Sequence, residues 1–315
     1  MNTLIKNWNY WLLKKTLKIS EPLDVIEEPE KRKQVAFLEA WISIIGNLLL
    51  AAVKFLLGFL VNSISLISDA VHTASDVLTS LVVIIGFKLA MIPPDEKHPH
   101  GHGRIEFIAS FVISLLLFAV GIQFAVSSYE RYMANTAVAG TYMVAAIMVA
   151  AGLTKEIMAR ISVDLGSKIS SSALVADAWH HRTDAIASLL VAVAIVASKF
   201  GYYRVDAILG MAVSLLIIFT GFEIFKESGS KLIGEVSQEE IIRVTSLASS
   251  VPGVVALHDI CVHDYGATKA ITLHIEIDEN ISREKAHEIA HQVQDTLNTK
   301  MYAFTTVHVD RIKYE

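Results

Sequence analysis

The sequence predicts an α-helical membrane protein with six transmembrane helices, followed by a small C-terminal α+β domain of ferredoxin-like type. Three observations carry that expectation. Apolar residues make up 53% of the 315-residue chain and charged residues only 19%, and the charges avoid several long stretches, which is a membrane composition. Roughly six windows of about 20 apolar residues, the length that crosses a hydrocarbon core, precede residue 226. Beyond it the chain takes on the mixed polarity and alternation of a water-exposed domain. The expected division is residues 1–35 as a cytoplasmic N-terminal segment, 36–226 as the membrane domain and 227–315 as a cytoplasmic C-terminal domain.

The spans are expected at 36–60, 64–91, 106–129, 138–158, 172–198 and 205–225. Six spans place both termini on one side, and basic residues choose the side. Lys31, Arg32 and Lys33 precede the first span, Lys97 and Arg104 sit in the second connection, and Lys155, Arg160 and Lys168 in the fourth. The opposite loops offer only Arg131, Lys199 and Arg204, so both termini are expected in the cytoplasm, with the plasma membrane as the expected location. Tyr129, Tyr132, Tyr202 and Tyr203 fall where an outer aromatic belt belongs.

The segment Met1–Lys33 mixes Trp8, Trp11 and Leu12 with Lys14, Lys15 and Lys18. It lacks the apolar run and cleavage site of a signal peptide, leaving an amphipathic helix on the inner membrane face or a flexible tail. In the C-terminal domain the pattern predicts helix 238–250, strand 256–263, strand 269–278, helix 282–299 and strand 305–312. Clean alternation in Ile271-Thr-Leu-His-Ile-Glu-Ile-Asp278 puts one sheet face on helices and leaves His274, Glu276 and Asp278 on the other.

Composition also excludes. A net charge of −5 without a dense basic patch argues against nucleic acid as a partner. Cys261 is the only cysteine, which rules out an internal disulfide framework and any thiolate zinc cluster. No GxxxxGK[ST] loop is present to bind nucleotide. A metal site here must use nitrogen and oxygen.

Spans two and five share the pattern Asp-Ala-x-His-x-x-x-Asp-x-x-x-Ser, from Asp69, His72, Asp76 and Ser80 and again from Asp177, His180, Asp184 and Ser188. In each, His and Asp are four apart and project from one helix face. Ionisable groups at membrane depth are costly unless paired, hydrated or bound to an ion. His72, Asp76, His180 and Asp184 together offer the two nitrogens and two oxygens that tetrahedral Zn²⁺ accepts; the alternative is hydrogen bonding between helices. Asp69 and Asp177 lie near the same faces, as outer carboxylates or as helix-linking groups. Glu39, Asn47 and Lys54 of the first span either line the cavity or, for Lys54, snorkel to the interface.

All twelve histidines fall in spans two and five, the second connection or the C-terminal domain. The connection Pro93-Pro-Asp-Glu-Lys-His-Pro-His-Gly-His-Gly103 offers Asp95, His98 and His102 for a metal, with His100 as substitute for either histidine, or else solvated loop histidines. In the C-terminal domain His258, His274 and His308 come from three strands, Asp310 shares a face with His308, and His287 comes from the second helix. They hold two bridged metal ions or are scattered surface groups, as His263 and His291 are.

Ser65-Leu-Ile-Ser-Asp-Ala-Val-His-Thr-Ala-Ser-Asp76, His98-Pro-His-Gly-His-Gly-Arg-Ile-Glu106 and Ala176-Asp-Ala-Trp-His-His-Arg-Thr-Asp184 closely resemble the cation diffusion facilitator family, over residues 35 to 312. The resemblance implies a homodimer that exchanges cytoplasmic Zn²⁺, Cd²⁺, Fe²⁺ or related ions for protons, without a prosthetic group or enzymatic activity. It assigns the transport site to His72, Asp76, His180 and Asp184, and a loop site to Asp95, His98 and His102. It also assigns a dimer-stabilising binuclear cytoplasmic site to His258, His274, His287, His308 and Asp310. It further implies a pairing between a base beginning span three, here Arg104, and an acid after span six, where this chain has Gly234 beside Glu235. Manganese-type relatives tend to replace the histidines, so retaining both favours zinc, with Fe²⁺, Cd²⁺ and Co²⁺ as alternatives. The expected mechanism is alternating access driven by proton competition for the ligands. A membrane-anchored metal sensor and an intramembrane metalloenzyme are the rival readings.

Overall fold

The computed structural model describes residues 2–17, 26–60, 64–134, 141–202 and 204–312. Among them six helices are long and apolar enough to cross a membrane. After the N-terminal α1 (Asn2–Leu17), the spans run as α2 (Pro29–Leu60), the pair α3 (Ile64–Ser75) and α4 (Val77–Ala90), α5 (Ile105–Ala134), α6 (Tyr142–Lys168), α7 (Ser172–Lys199) and α8 (Arg204–Ile233). The expected span residues 138–140, the connection 61–63 and Tyr203 lie outside the described residues.

Two helices outrun their apolar windows. Charged pairs one turn apart, Glu156 with Arg160 and Asp164 with Lys168 in α6, and Glu227 with Lys231 in α8, favour helix where hydropathy no longer does. One consequence corrects the charge count: Lys155 is not in the fourth connection but inside α6 and buried. Arg160, Lys168 and the bases around α2 and in the second connection still share the end that holds the termini.

Span two is not one continuous helix. It breaks at Asp76, whose carbonyl accepts from the Thr79 amide at 3.3 Å and the Thr79 hydroxyl at 2.8 Å, a local bond that competes with the α-helical ladder. The discontinuity thus falls on a motif carboxylate, as in transporters whose broken helices line a cavity.

In lipid, close approach rather than water exclusion decides helix packing. Helix α5 lies on α8 and α6 on α7. A Cβ added at Gly152 of α6 would meet Leu189 Cγ at 2.9 Å and the Ala185 carbonyl at 3.0 Å on α7. Glycine there lets α6 approach closely enough for Lys155, one turn on, to reach Asp184. The outer surface carries large apolar side chains such as Leu49, Phe59, Leu153 and Leu215. Of the two readings for the N-terminus, the helix forms: α1 buries Leu13, and Asn9 donates to Asp164 of α6 at 2.8 Å.

The C-terminal domain runs α9 (Gln238–Ser249), β1 (Ala256–Tyr265), β2 (Thr268–Asp278), α10 (Arg283–Met301) and β3 (Ala303–Ile312). This is the helix–strand–strand–helix–strand order expected. The sheet has order β1-β2-β3, with β1 antiparallel and β3 parallel to β2. Leu273, Ile275 and Ile277 pack with Ile289, Val293 and Leu297 of α10, leaving the opposite sheet face polar.

The expected base–acid pairing at Arg104 takes another form. Its guanidinium donates to the carbonyls of Asp264 at 3.3 Å and Leu232 at 3.4 Å and lies 4.6 Å over the Tyr265 ring. Gly234 ends α8 with a left-handed φ of 107°, and the Glu235 and Gly234 amides return to the carbonyls of Ser230 and Lys231 at 2.9 and 3.2 Å. That cap geometry suits glycine, so a helix terminus replaces the carboxylate as the partner of Arg104.

Candidate metal centres

The break in span two and the close contact of α6 with α7 bring the two repeated motifs together. His180 Nε2 lies 3.6 Å from Asp76 Oδ1 and 3.7 Å from Asp184 Oδ2, while His72 Nε2 lies 4.0 Å from Asp76 Oδ1. Ligand atoms of His72, Asp76 and Asp184 fall within 4.8 Å of one another. Among the described residues, neither ring nitrogen of His180 has a hydrogen-bond partner although the residue is buried. Both carboxylates thus lie near the His180 imidazole and His72 stands near Asp76, a set of nitrogen and oxygen donors of the kind transition metals accept.

A fifth group, missed in the sequence, stands among them. Lys155 Nζ donates to Asp76 Oδ2 at 2.6 Å and to Asp184 Oδ2 at 2.8 Å. Its ammonium offsets carboxylates that would otherwise be buried unpaired. The signal that could have found it was its spacing from Gly152 within a hydrophobic helix.

The cluster borders a cavity of about 200 Å³ whose wall includes Lys54, Asp69, His72, Gln123, Ser127 and Val191. These residues sit towards the ends of α2, α5 and α7 and the start of α3, so the cavity occupies the half of the bundle away from the termini. His72 is the accessible member, with 57% of its side chain exposed. Lys54 does not snorkel: its ammonium contacts Asp69 at 2.6 Å and Thr73 at 2.8 Å. Asp69 therefore serves Lys54, and the matched Asp177 takes a different partner, His181 at 3.3 Å. Glu39 joins that second group, and Asn47 is buried with no side-chain hydrogen bond among the described residues.

In the second connection Asp95 touches His98 Nδ1 at 3.0 Å and His102 Nε2 at 3.4 Å, and the two rings lie 4.3 Å apart. The amides of His98 and Lys97 donate to Asp95 at 2.6 and 2.9 Å; the His98 amide leads in holding its carboxyl below the usual range. His100 is not part of this group, since its ring packs on Tyr265 at 5.3 Å and Phe304 at 6.4 Å.

On the polar sheet face, strand register aligns His258 with His274, His274 with His308, and Glu276 with Asp310. Asp310 sits at the centre, 2.8 Å from His274 Nδ1, 3.2 Å from His258 Nε2 and 3.4 Å from His308 Nε2. The His274 hydrogen bond depresses its carboxyl pKa. A bulge between His258 and Cys261, with Asp259 at φ 49°, shifts strand parity, so His258 faces this cluster although Val262, four residues on, is in the core. His287 stands apart on the exposed side of α10, its Nε2 3.1 Å from that of His291. His263 contacts Cys261 Sγ at 3.5 Å.

Comparisons with known proteins agree with this architecture. Residues 40–233 match the model for the cation efflux transmembrane domain, and residues 236–312 match that for the cation efflux protein cytoplasmic domain. An uncharacterized transporter of Methanocaldococcus jannaschii is 37% identical over 85% of this chain and 96% of its own length. The manganese efflux system protein MneS of Bacillus subtilis is 28% identical over 87% of this chain and 95% of its own. Metal tolerance protein C1 of Arabidopsis thaliana is 30% identical over 83% of this chain and 59% of its own length. With both domains matched, the chain belongs to the cation diffusion facilitator family: it is a multi-pass membrane transporter for efflux of divalent metal cations, not an enzyme.

Proposed function

We propose that His72, Asp76, His180 and Asp184 bind the transported ion and that Zn²⁺ is its preferred occupant, exported in exchange for protons. The observation that carries this reading is a cavity at membrane depth lined by His72, Asp76 and Asp184, with His180 beside both carboxylates and, among the described residues, without a hydrogen-bond partner at either ring nitrogen. Imidazole donors suit zinc better than the harder Mn²⁺. Ligands must shed protons to bind metal, so protons arriving from the far side release it. A metal ion must also displace the Lys155 ammonium from between the carboxylates.

The termini face the cytoplasm in this reading, and the functional division follows residues 1–35, 36–226 and 227–315. The cavity away from the termini is then the exit side. His258, His274, His308 and Asp310 bind cytoplasmic metal and steady a homodimer, while His287, apart on α10, lies outside that group within one protomer; Asp95, His98 and His102 bind a further ion.

Manganese is the second reading, favoured by the names of MneS and of another Bacillus subtilis relative, manganese efflux system protein MneP, 26% identical to this chain. Zn²⁺ and Mn²⁺ flux into proteoliposomes, each in competition with the other and with or without a pH gradient, tests both. Zinc is expected to outcompete manganese, and the gradient to accelerate uptake. His180→Ala and Asp184→Ala are expected to reduce flux to that of protein-free vesicles; wild-type flux in both would overturn the site.

A further inference from the structure

Glu39 of α2 and Asp177 and His181 of α7 form a second cluster, fully buried and on the side of the bundle nearer the termini. His181 Nε2 lies 3.3 Å from Asp177 Oδ2 and 2.9 Å from Ser43 Oγ. Ser43 donates to Glu39 Oε1 at 3.0 Å, Ser162 donates to the same oxygen, and Ser80 donates to Asp177 Oδ2 at 3.5 Å. One potential ligand atom from each of the three residues falls within 4.8 Å of the others.

Two features separate this cluster from ordinary interhelical hydrogen bonding. Among the described residues, Glu39 Oε2, Asp177 Oδ1 and His181 Nδ1 are buried without hydrogen-bond partners, which is costly at membrane depth. Moreover, two carboxylates face one imidazole, and among the described residues no lysine or arginine pairs with either. The transport cluster has Lys155 and the Lys54–Asp69 pair. Here the protein supplies no fixed cation of that kind.

We propose that Glu39, Asp177 and His181 bind a divalent first-row transition-metal cation as an entry site between the cytoplasm and the transport site. Two carboxylates, one imidazole and nearby hydroxyls form a donor set suited to Mn²⁺ as well as Zn²⁺. Asp177 lies one helical turn, about 5 Å of rise, from His180, and the His180 and His181 rings are 6.0 Å apart. An ion leaving the second cluster thus reaches the transport ligands in one short step. Binding follows from the cluster itself, whereas its place in the path rests on the transport reading above.

Anomalous difference scattering from the full-length wild-type protein, crystallised with MnCl₂ and separately with ZnCl₂, tests this without substitution. Density among Glu39, Asp177 and His181 with either ion is expected. Density at the transport site alone would overturn the entry site and leave the transport site standing; density at this cluster alone would do the reverse. Equilibrium dialysis supplies a second measurement. Asp177→Asn and Glu39→Gln, each checked for unchanged size-exclusion behaviour and melting temperature, are expected to bind one Mn²⁺ fewer per protomer. Unchanged stoichiometry in either folded variant would overturn the proposal.

Discussion

Asp76 and Asp184 have side chains 3% and 10% exposed and share one lysine ammonium, whereas Asp310 is 37% exposed and touches three imidazoles, with no lysine or arginine paired to it among the described residues. Both clusters are built from histidine and aspartate, and the solvent accounts for their different company. Water and salt screen the sheet-face carboxylate, so strand register alone can assemble imidazoles around it. In the bundle no such screening exists, and at Asp76 and Asp184 the Lys155 ammonium stands in for mobile ions. On the proposed reading, metal binding at the sheet face adds a charge, whereas in the bundle it exchanges one cation for another.

Substituting Lys155 should break that contrast most strongly. Lys155→Met leaves two buried carboxylates without their ammonium, a loss of about 3–5 kcal/mol by the usual cost of breaking a buried pair. The metal-free protein is expected to melt earlier in detergent and to regain stability when zinc is added; unchanged melting would show that Lys155 is not the compensating charge. A smaller effect is expected from Gly152→Val, which wedges α6 from α7 at an overpacking cost of about 1–3 kcal/mol. Flux should fall in that variant while metal binding on the sheet face, measured by calorimetry, is retained.

At the sheet face, His274→Ala is expected to weaken metal binding about tenfold or more, roughly 1.4 kcal/mol, and to loosen dimerisation measured by analytical ultracentrifugation, with the intramembrane site intact. The least effect is expected from acid. Because His274 depresses the Asp310 pKa, this carboxylate favours the folded state at pH values above its ordinary unfolded pKa of about 3.9. The contribution is lost as pH falls through the lower folded value. An NMR titration of the Asp310 carboxyl should shift to higher pH in His274→Ala, and an unmoved midpoint would count against that hydrogen bond.

Much of the fold was legible because its signals are local. Hydropathy marks the six spans, and alternation from Ile271 to Asp278 marks both a strand and its polar face. The four motif residues were legible because i,i+4 spacing on a helix needs no tertiary knowledge. Lys155 was misplaced because hydropathy cannot distinguish a lysine ending a span from one turned inward to a carboxylate. His181 was overlooked beside His180, since adjacent helix positions diverge by about 100° and its partner off its own helix, Ser43 of α2, is given only by packing. The role of His258 depended on a bulge that periodicity does not reveal.

By itself, the sequence determined the membrane class, the two-part organisation and the paired motifs, because burying apolar surface and repeating ligands at helical spacing are properties of single segments. The tertiary structure alone decided which charges share a space. It set Lys155 between two aspartates, gave Asp69 and Asp177 different partners, and gathered Glu39, Asp177 and His181 away from solvent. Electrostatic pairing depends on distances between helices, and those are fixed by packing contacts such as Gly152 against Ala185 and Leu189.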